Sequence, residues 1–104
     1  MTDHCPGYGS AAKYIATSMK EIIRDNACYG KARTNICVVE IMGRHAGWLT
    51  AAAILSKRPD CCGPDLIYLP ETVFDPDDFM KRVRNLAKIK SSIVIAVSEG
   101  VKLA

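Results

Sequence analysis

Three short stretches carry the side chains best suited to chemistry: Met42-Gly43-Arg44, Pro70-Glu71 and Ser98-Glu99. Each follows an apolar run that reads as a strand, and the carboxyl ends of parallel strands share one rim, where open α/β sheets place their ligand crevice. Arg44 stands between the β-branched run 36–41 and the helix-forming composition that resumes at Ala46. The free N–H groups of a helix start already favour an anion there, and a guanidinium adds a rigid fork of donors suited to phosphate. The rim is therefore a candidate anion or sugar-phosphate site. The same residues admit a plainer reading, a solvated ion pair between one arginine and two glutamates where strands run into polar loops. His45, next to Arg44, is read as part of the helix start rather than as a base.

Other patterns carry less. Gly7-Tyr8-Gly9-Ser10-Ala11-Ala12 spells a dinucleotide-binding GxGxxA, but that fingerprint needs a strand directly before it and only six residues precede Gly7. A glycine loop entering a helix is the reading adopted. The five cysteines (Cys5, Cys28, Cys37, Cys61 and Cys62) are odd in number and lack CxxC spacing, which argues against a disulfide framework or a zinc site and for reduced thiols in the cytoplasm. A net charge of +3, spread among 14 basic and 11 acidic residues, is no nucleic-acid footprint. No apolar run is long enough to cross a bilayer, and no signal peptide opens the chain.

The elements that must position the rim follow in chain order. Ser10 is read as the cap of a first helix over residues 10–25, with Ile15, Met19, Ile22, Ile23 and Asn26 on one face. Residues 36–41 form a strand, and 46–57 a helix apolar around most of its circumference. Residues 66–69 form a second strand. Asp75-Pro76-Asp77-Asp78 opens a third helix, with a cap, a proline at its first position and acids at the positive end of the dipole; Phe79, Val83 and Leu86 line its buried face. A third strand over 92–97 completes an α-β-α-β-α-β order. Helices alternating with strands that read as buried on both faces predict a three-layer α/β fold, a parallel sheet with flanking helices and right-handed crossovers.

All 104 residues make one domain at most, and an incomplete one. Three parallel strands leave two open edges, and two further helices cannot cover a helix that is apolar on nearly every side. The expectation is a part of a larger protein or an obligate oligomer.

The run VVEIMGRHAGWLTAAA, residues 38–53, closely resembles the fructose-6-phosphate-binding segment of the 6-phosphofructokinases. TDHCPGYGSAAKYIATS, residues 2–18, resembles the segment that follows their catalytic TIDND motif, and LIYLPE (66–71) and IVIAVSEG (93–100) fall in the family's order and spacing. The resemblance covers nearly the whole chain. It implies a partial phosphofructokinase fold that supplies part of the sugar-phosphate site of an enzyme transferring a phosphoryl group from pyrophosphate or ATP to the 1-hydroxyl of fructose 6-phosphate, in glycolysis. It further implies that Met42 and Gly43 lie against the sugar phosphate, that Arg44 faces the reacting groups and that Glu99 accepts hydrogen bonds from sugar hydroxyls; Glu71 is kept as structural. The details of both longer stretches favour the pyrophosphate-dependent branch.

The departures limit that inference. An arginine that the family contributes from a neighbouring subunit is replaced here by Asn35, with Arg33 two residues away. The TIDND aspartate that serves as general base, the glycine-rich donor loops, the Mg²⁺ ligands and later His and Arg contacts all fall outside the chain. The resemblance therefore implies Mg²⁺ and a homo-oligomer for the complete enzyme, and little or no activity for the 104 residues alone. A noncatalytic sugar-phosphate-binding or regulatory module of the same fold is the alternative.

Overall fold

The computed structural model describes residues 7–29, 33–57, 59 and 61–103. Its elements are α1 (Tyr8–Ala27), β1 (Asn35–Ile41), α2 (Trp48–Ala51), a 3₁₀ turn (Ala52–Ser56), β2 (Leu66–Tyr68), β3 (Val73–Phe74), α3 (Pro76–Ile89), β4 (Ser92–Ser98) and β5 (Lys102–Leu103). The main sheet is parallel with spatial order β1-β4-β2. Asn35 to Ile41 pair one to one with Ser92 to Ser98, and Leu66 to Tyr68 with Ile95 to Val97. The last long strand thus sits in the middle. The connection from β1 to β2 runs outward across the sheet and the one from β2 to β4 runs back, so crossovers of one hand put their helices on opposite faces.

The core follows that arrangement. On one face Met19 and Ile23 of α1, with Ala53 of the 3₁₀ turn, pack against Ile41, Val94 and Ala96. On the other, Val83 of α3 packs against Ile93 and Ile95, flanked by Phe79, Leu86 and Tyr68. Asn26 pins the end of α1 to the sheet, its amide donating to Ser92 Oγ at 2.8 Å. Asp65 ties the entry of β2 to its neighbours: Oδ2 accepts from Val94 N–H at 2.9 Å, and Oδ1 accepts from the Lys90 ammonium. The three layers, the parallel pairing and the Asp75 cap on Asp77 N–H at 3.0 Å agree with the sequence.

Four expectations are corrected. The cap of α1 is Gly7, and Ser10 is a residue of the helix itself, so the Gly7–Ala12 stretch is helical from Tyr8 on. The apolar helix expected over 46–57 starts only at Trp48 and tightens to 3₁₀ at Ala52. There Ser56 Oγ donates to Ala53 O at 2.7 Å, and Pro59 follows shortly, where an α-helix could not continue. β1 is not buried on both faces: Ile36 and Val38 are 50% and 56% exposed, because α3 covers β4 and β2 but no described element reaches that side of β1. Finally, the three expected strands are joined by β3 and β5, which form a separate two-stranded parallel sheet. Cys28, Cys37, Cys61 and Cys62 are free thiols, and Cys5 lies outside the described residues. Among the described residues no helix is long and apolar enough to cross a membrane.

Candidate functional site

The turn between β1 and α2, residues 42–47, lies on the carboxyl ends of β1, β4 and β2. Gly43 has φ +141°, and a Cβ there would meet Ala46 O at 2.7 Å, so the turn folds back on itself in a way open only to glycine. Its N–H donates to Glu99 Oε1 at 3.0 Å and its carbonyl accepts from Ser98 Oγ–H. Glu99 N–H continues the ladder by donating to Ile41 O at 3.0 Å. The ends of β1 and β4 are thus locked together, and the Met42-Gly43-Arg44 and Ser98-Glu99 stretches form one corner.

Gly100 tightens that corner. A Cβ on it would fall 1.8 Å from Arg44 O and 2.7 Å from Arg44 Cα, so the backbone of Arg44 rests directly on the turn after β4. At the far end of the turn, Gly47 N–H donates to Glu71 Oε2 at 3.0 Å. The loops that carry the two glutamates are themselves joined: Glu71 leads into β3, Glu99 and Gly100 lead into β5, and β3 pairs with β5.

All three sequence-derived stretches therefore meet, and each candidate residue has a definite place. Met42 is 75% exposed at the lip of the corner. Arg44 and Glu99 are exposed beside it, and Gly43 is half-buried between them. The solvated ion pair does not form, since among the described residues Arg44 pairs with neither glutamate and both carboxylates accept backbone N–H groups instead. A carboxylate has about four acceptor positions. The bond to Gly43 uses one and leaves Glu99 capacity for ligand hydroxyls. His45 lies in the turn ahead of α2 rather than inside a helix.

Asn35 and Arg33 stand at the opposite end of β1, roughly 20 Å from the rim at about 3.3 Å per strand residue. Within one chain they do not reach the corner. Among the described residues no group of three His, Cys, Asp or Glu side chains is placed to hold a metal ion.

Sequence reasoning missed Gly100 and the work of Glu71. The order Ser-Glu-Gly after a buried strand flags a turn, but a backbone stacked on that glycine from 56 residues upstream has no local signature.

A family model described as Phosphofructokinase matches residues 1–104. A pyrophosphate--fructose 6-phosphate 1-phosphotransferase of Xanthomonas campestris pv. campestris is 43% identical over 102 residues, 98% of this chain and 24% of that protein. An ATP-dependent 6-phosphofructokinase of Pectobacterium carotovorum subsp. carotovorum is 31% identical over 99 residues, 94% of this chain and 28% of that protein. The crystal structure of a pyrophosphate-dependent phosphofructokinase from Nitrosospira multiformis superposes with a TM-score of 0.83 at 42% identity, covering 100% of this chain and 26% of that one. The chain thus spans about a quarter of the length of the relatives it matches.

Proposed function

We propose, on the premise that this chain belongs to the phosphofructokinase family, that its carboxyl-end rim is the sugar-holding part of an active site that phosphorylates fructose 6-phosphate. The chain is then a single incomplete domain of a larger protein, which supplies the general base and the donor loops. The observation that carries the reading is the Gly43–Glu99 hydrogen bond, which makes one corner of the Met42-Gly43-Arg44 turn and the acid that ends β4.

The chemistry of that corner is coherent. Met42 and Gly43 offer a thioether and bare backbone to the sugar phosphate, and Glu99 accepts from sugar hydroxyls through its remaining lone pairs. Arg44 is an exposed positive charge beside them, its backbone set by the turn and by contact with Gly100. Phosphoryl transfer passes through a loose transition state with charge spread over the equatorial oxygens, so a guanidinium held in place contributes more as charge develops than in the ground state. Glu71, tied to Gly47, has no substrate contact in this scheme.

Mg²⁺ belongs to the complete enzyme, where it would neutralise charge on the donor. Glu71 and Glu99 are each engaged by a backbone N–H, and the described residues gather no set of metal ligands. No step assigned to this chain runs through the ion.

Pyrophosphate is the favoured donor over ATP, supported by identities of 43% and 31% to relatives named for each. A cytoplasmic setting is supported by four free thiols. A homo-oligomer is what the family resemblance implies, and the half-exposed Ile36 and Val38 leave a face of β1 for the rest of the protein or a second copy to cover. Glycolysis is the pathway this reaction implies.

A coupled assay tests the proposal. The complete protein should turn over fructose 6-phosphate with pyrophosphate faster than with ATP, while the purified 104-residue chain should give no turnover. Turnover by the short chain alone, or a complete protein inert toward fructose 6-phosphate with both donors, would overturn it.

A further inference from the structure

The turn of residues 42–47 is anchored at both ends, and only the Gly43 anchor belongs to the sugar-holding corner. At the other end Gly47 is buried, and a Cβ on it would lie 2.7 Å from Glu71 Oε1 and 2.9 Å from Leu69 Cδ2 and Pro70 Cδ. The Glu71 carboxylate therefore grips Gly47 from across the rim, with the backbone drawn in as far as a glycine allows. Thr72 N–H and Oγ1–H both donate to Leu69 O, at 3.3 and 3.1 Å, closing the loop that presents Glu71, and β3 starts directly afterwards.

α2 is only four residues long, so this carboxylate does not act on a helix dipole. It acts on position. Between the anchors stand Arg44, His45 and Ala46, all exposed. Without the Glu71 bond, Gly47 keeps the bond that its carbonyl accepts from Ala51 N–H at 2.8 Å and Arg44 keeps its backbone contact with Gly100, so His45 and Ala46 are the residues loosened, and each one released would dilute the productive posture by roughly tenfold.

The geometry points to Glu71 as a positioning residue for the transfer reaction, one that fixes the Gly47 end of the turn so that the Arg44 guanidinium is held ready for the transition state. This rests on the sugar-phosphate reading of the rim. What matters is an acceptor oxygen at that place, and the carboxamide of glutamine supplies one too.

The experiment compares Glu71→Ala and Glu71→Gln in the complete protein by hydrogen exchange at the Gly47 amide, thermal melting and steady-state kinetics with fructose 6-phosphate and pyrophosphate. In Glu71→Ala, Gly47 exchange should quicken at least tenfold and kcat should fall by about 10- to 100-fold. KM for the sugar should change less than about threefold, because Arg44 acts mainly in the transition state. Glu71→Gln should restore most of both losses. A merely structural role would lower the melting temperature without splitting kcat from KM. That result, an unchanged Gly47 exchange rate in Glu71→Ala, or equal impairment of the two variants would overturn the assignment. A wild-type protein with no turnover is a failure of the sugar-phosphate reading and is told apart from these, since Gly47 exchange is read without substrate.

Discussion

Adding one methyl group at Gly100 tests how the corner is built. In Gly100→Ala the new Cβ would fall 1.8 Å from Arg44 O and 2.5 Å from Arg44 C. The backbone of Arg44 must then retreat by about 1.6 Å to reach ordinary contact. It cannot do so quietly, because Gly43 is bound on both its N–H and its carbonyl, and Gly47 is bound three residues past Arg44. Either the Gly43–Glu99 bond breaks or the end of β4 is displaced. Overpacking of this kind costs about 1–3 kcal/mol. A shift of about 1 Å in a group that contacts the transition state costs on the order of 100-fold in rate. The assay is turnover by the complete protein beside its melting temperature, with Gly9→Ala as control. Gly9 lies in α1 with open space around its Cβ position, and alanine there should stabilise by about 0.5–1 kcal/mol. Wild-type turnover and melting in Gly100→Ala would refute the stacking of Arg44 on Gly100.

Further predictions follow from the same contacts. Arg44→Lys keeps the charge and loses the planar fork, so kcat should fall by about 100- to 1000-fold with a smaller change in KM; an unchanged kcat would remove Arg44 from the reaction. Asp65→Ala breaks the bonds to Lys90 and to Val94 N–H and should lower stability by about 1–3 kcal/mol by chemical denaturation, without loss of sugar affinity per folded molecule. Burial raises the Tyr68 pKa above its ordinary 10.0, and the hydrogen bond to Asp65 raises that of Lys90 above 10.5. The native state therefore holds both protons more tightly than the unfolded chain, so their contribution is complete below pH 10 and is lost as pH rises through the raised values. For these two groups the stability curve should be flat from pH 7 to 9 and fall above 10, and a rise there would contradict the assignment. The Tyr68 hydroxyl is buried without a partner among the described residues, in edge contact with Phe74 and Phe79. Tyr68→Phe should accordingly be neutral or slightly stabilising and should remove the tyrosine's share of the alkaline loss.

What could be read from the sequence is what local chemistry writes. The third helix was legible because Asp75, Pro76 and the acids after them encode its start, and the parallel sheet because three apolar runs alternate with helical periodicity. The meeting of the Met42-Gly43-Arg44 turn with Glu99 was legible one step further, since strands of one sheet share a carboxyl rim. The rest depends on partners distant in the chain. Ile36 and Val38 look like core residues in any window of sequence, and only the placement of α3 over β2 and β4 leaves them bare. The 3₁₀ turn at Ala52 is accompanied by the bond from the Ser56 hydroxyl to Ala53 O, which helix propensity does not anticipate. β3 and β5 are two residues each, too short for a period-2 signal, yet they tie the Glu71 and Glu99 loops together. The proposal that Met42 and Glu99 belong to a sugar site rests on resemblance, and the Gly43–Glu99 bond supports it by making one corner of the two stretches.

The central claim is that fructose 6-phosphate sits in the corner formed by the 42–47 turn and Glu99. The most direct measurement is a crystal structure of the complete protein with that sugar phosphate bound. The account predicts sugar hydroxyls within hydrogen-bond distance of the Glu99 carboxylate, the sugar phosphate against Met42 and Gly43, and the Arg44 guanidinium on the side of the 1-hydroxyl. Electron density for the sugar elsewhere, with this corner left to solvent, would contradict it.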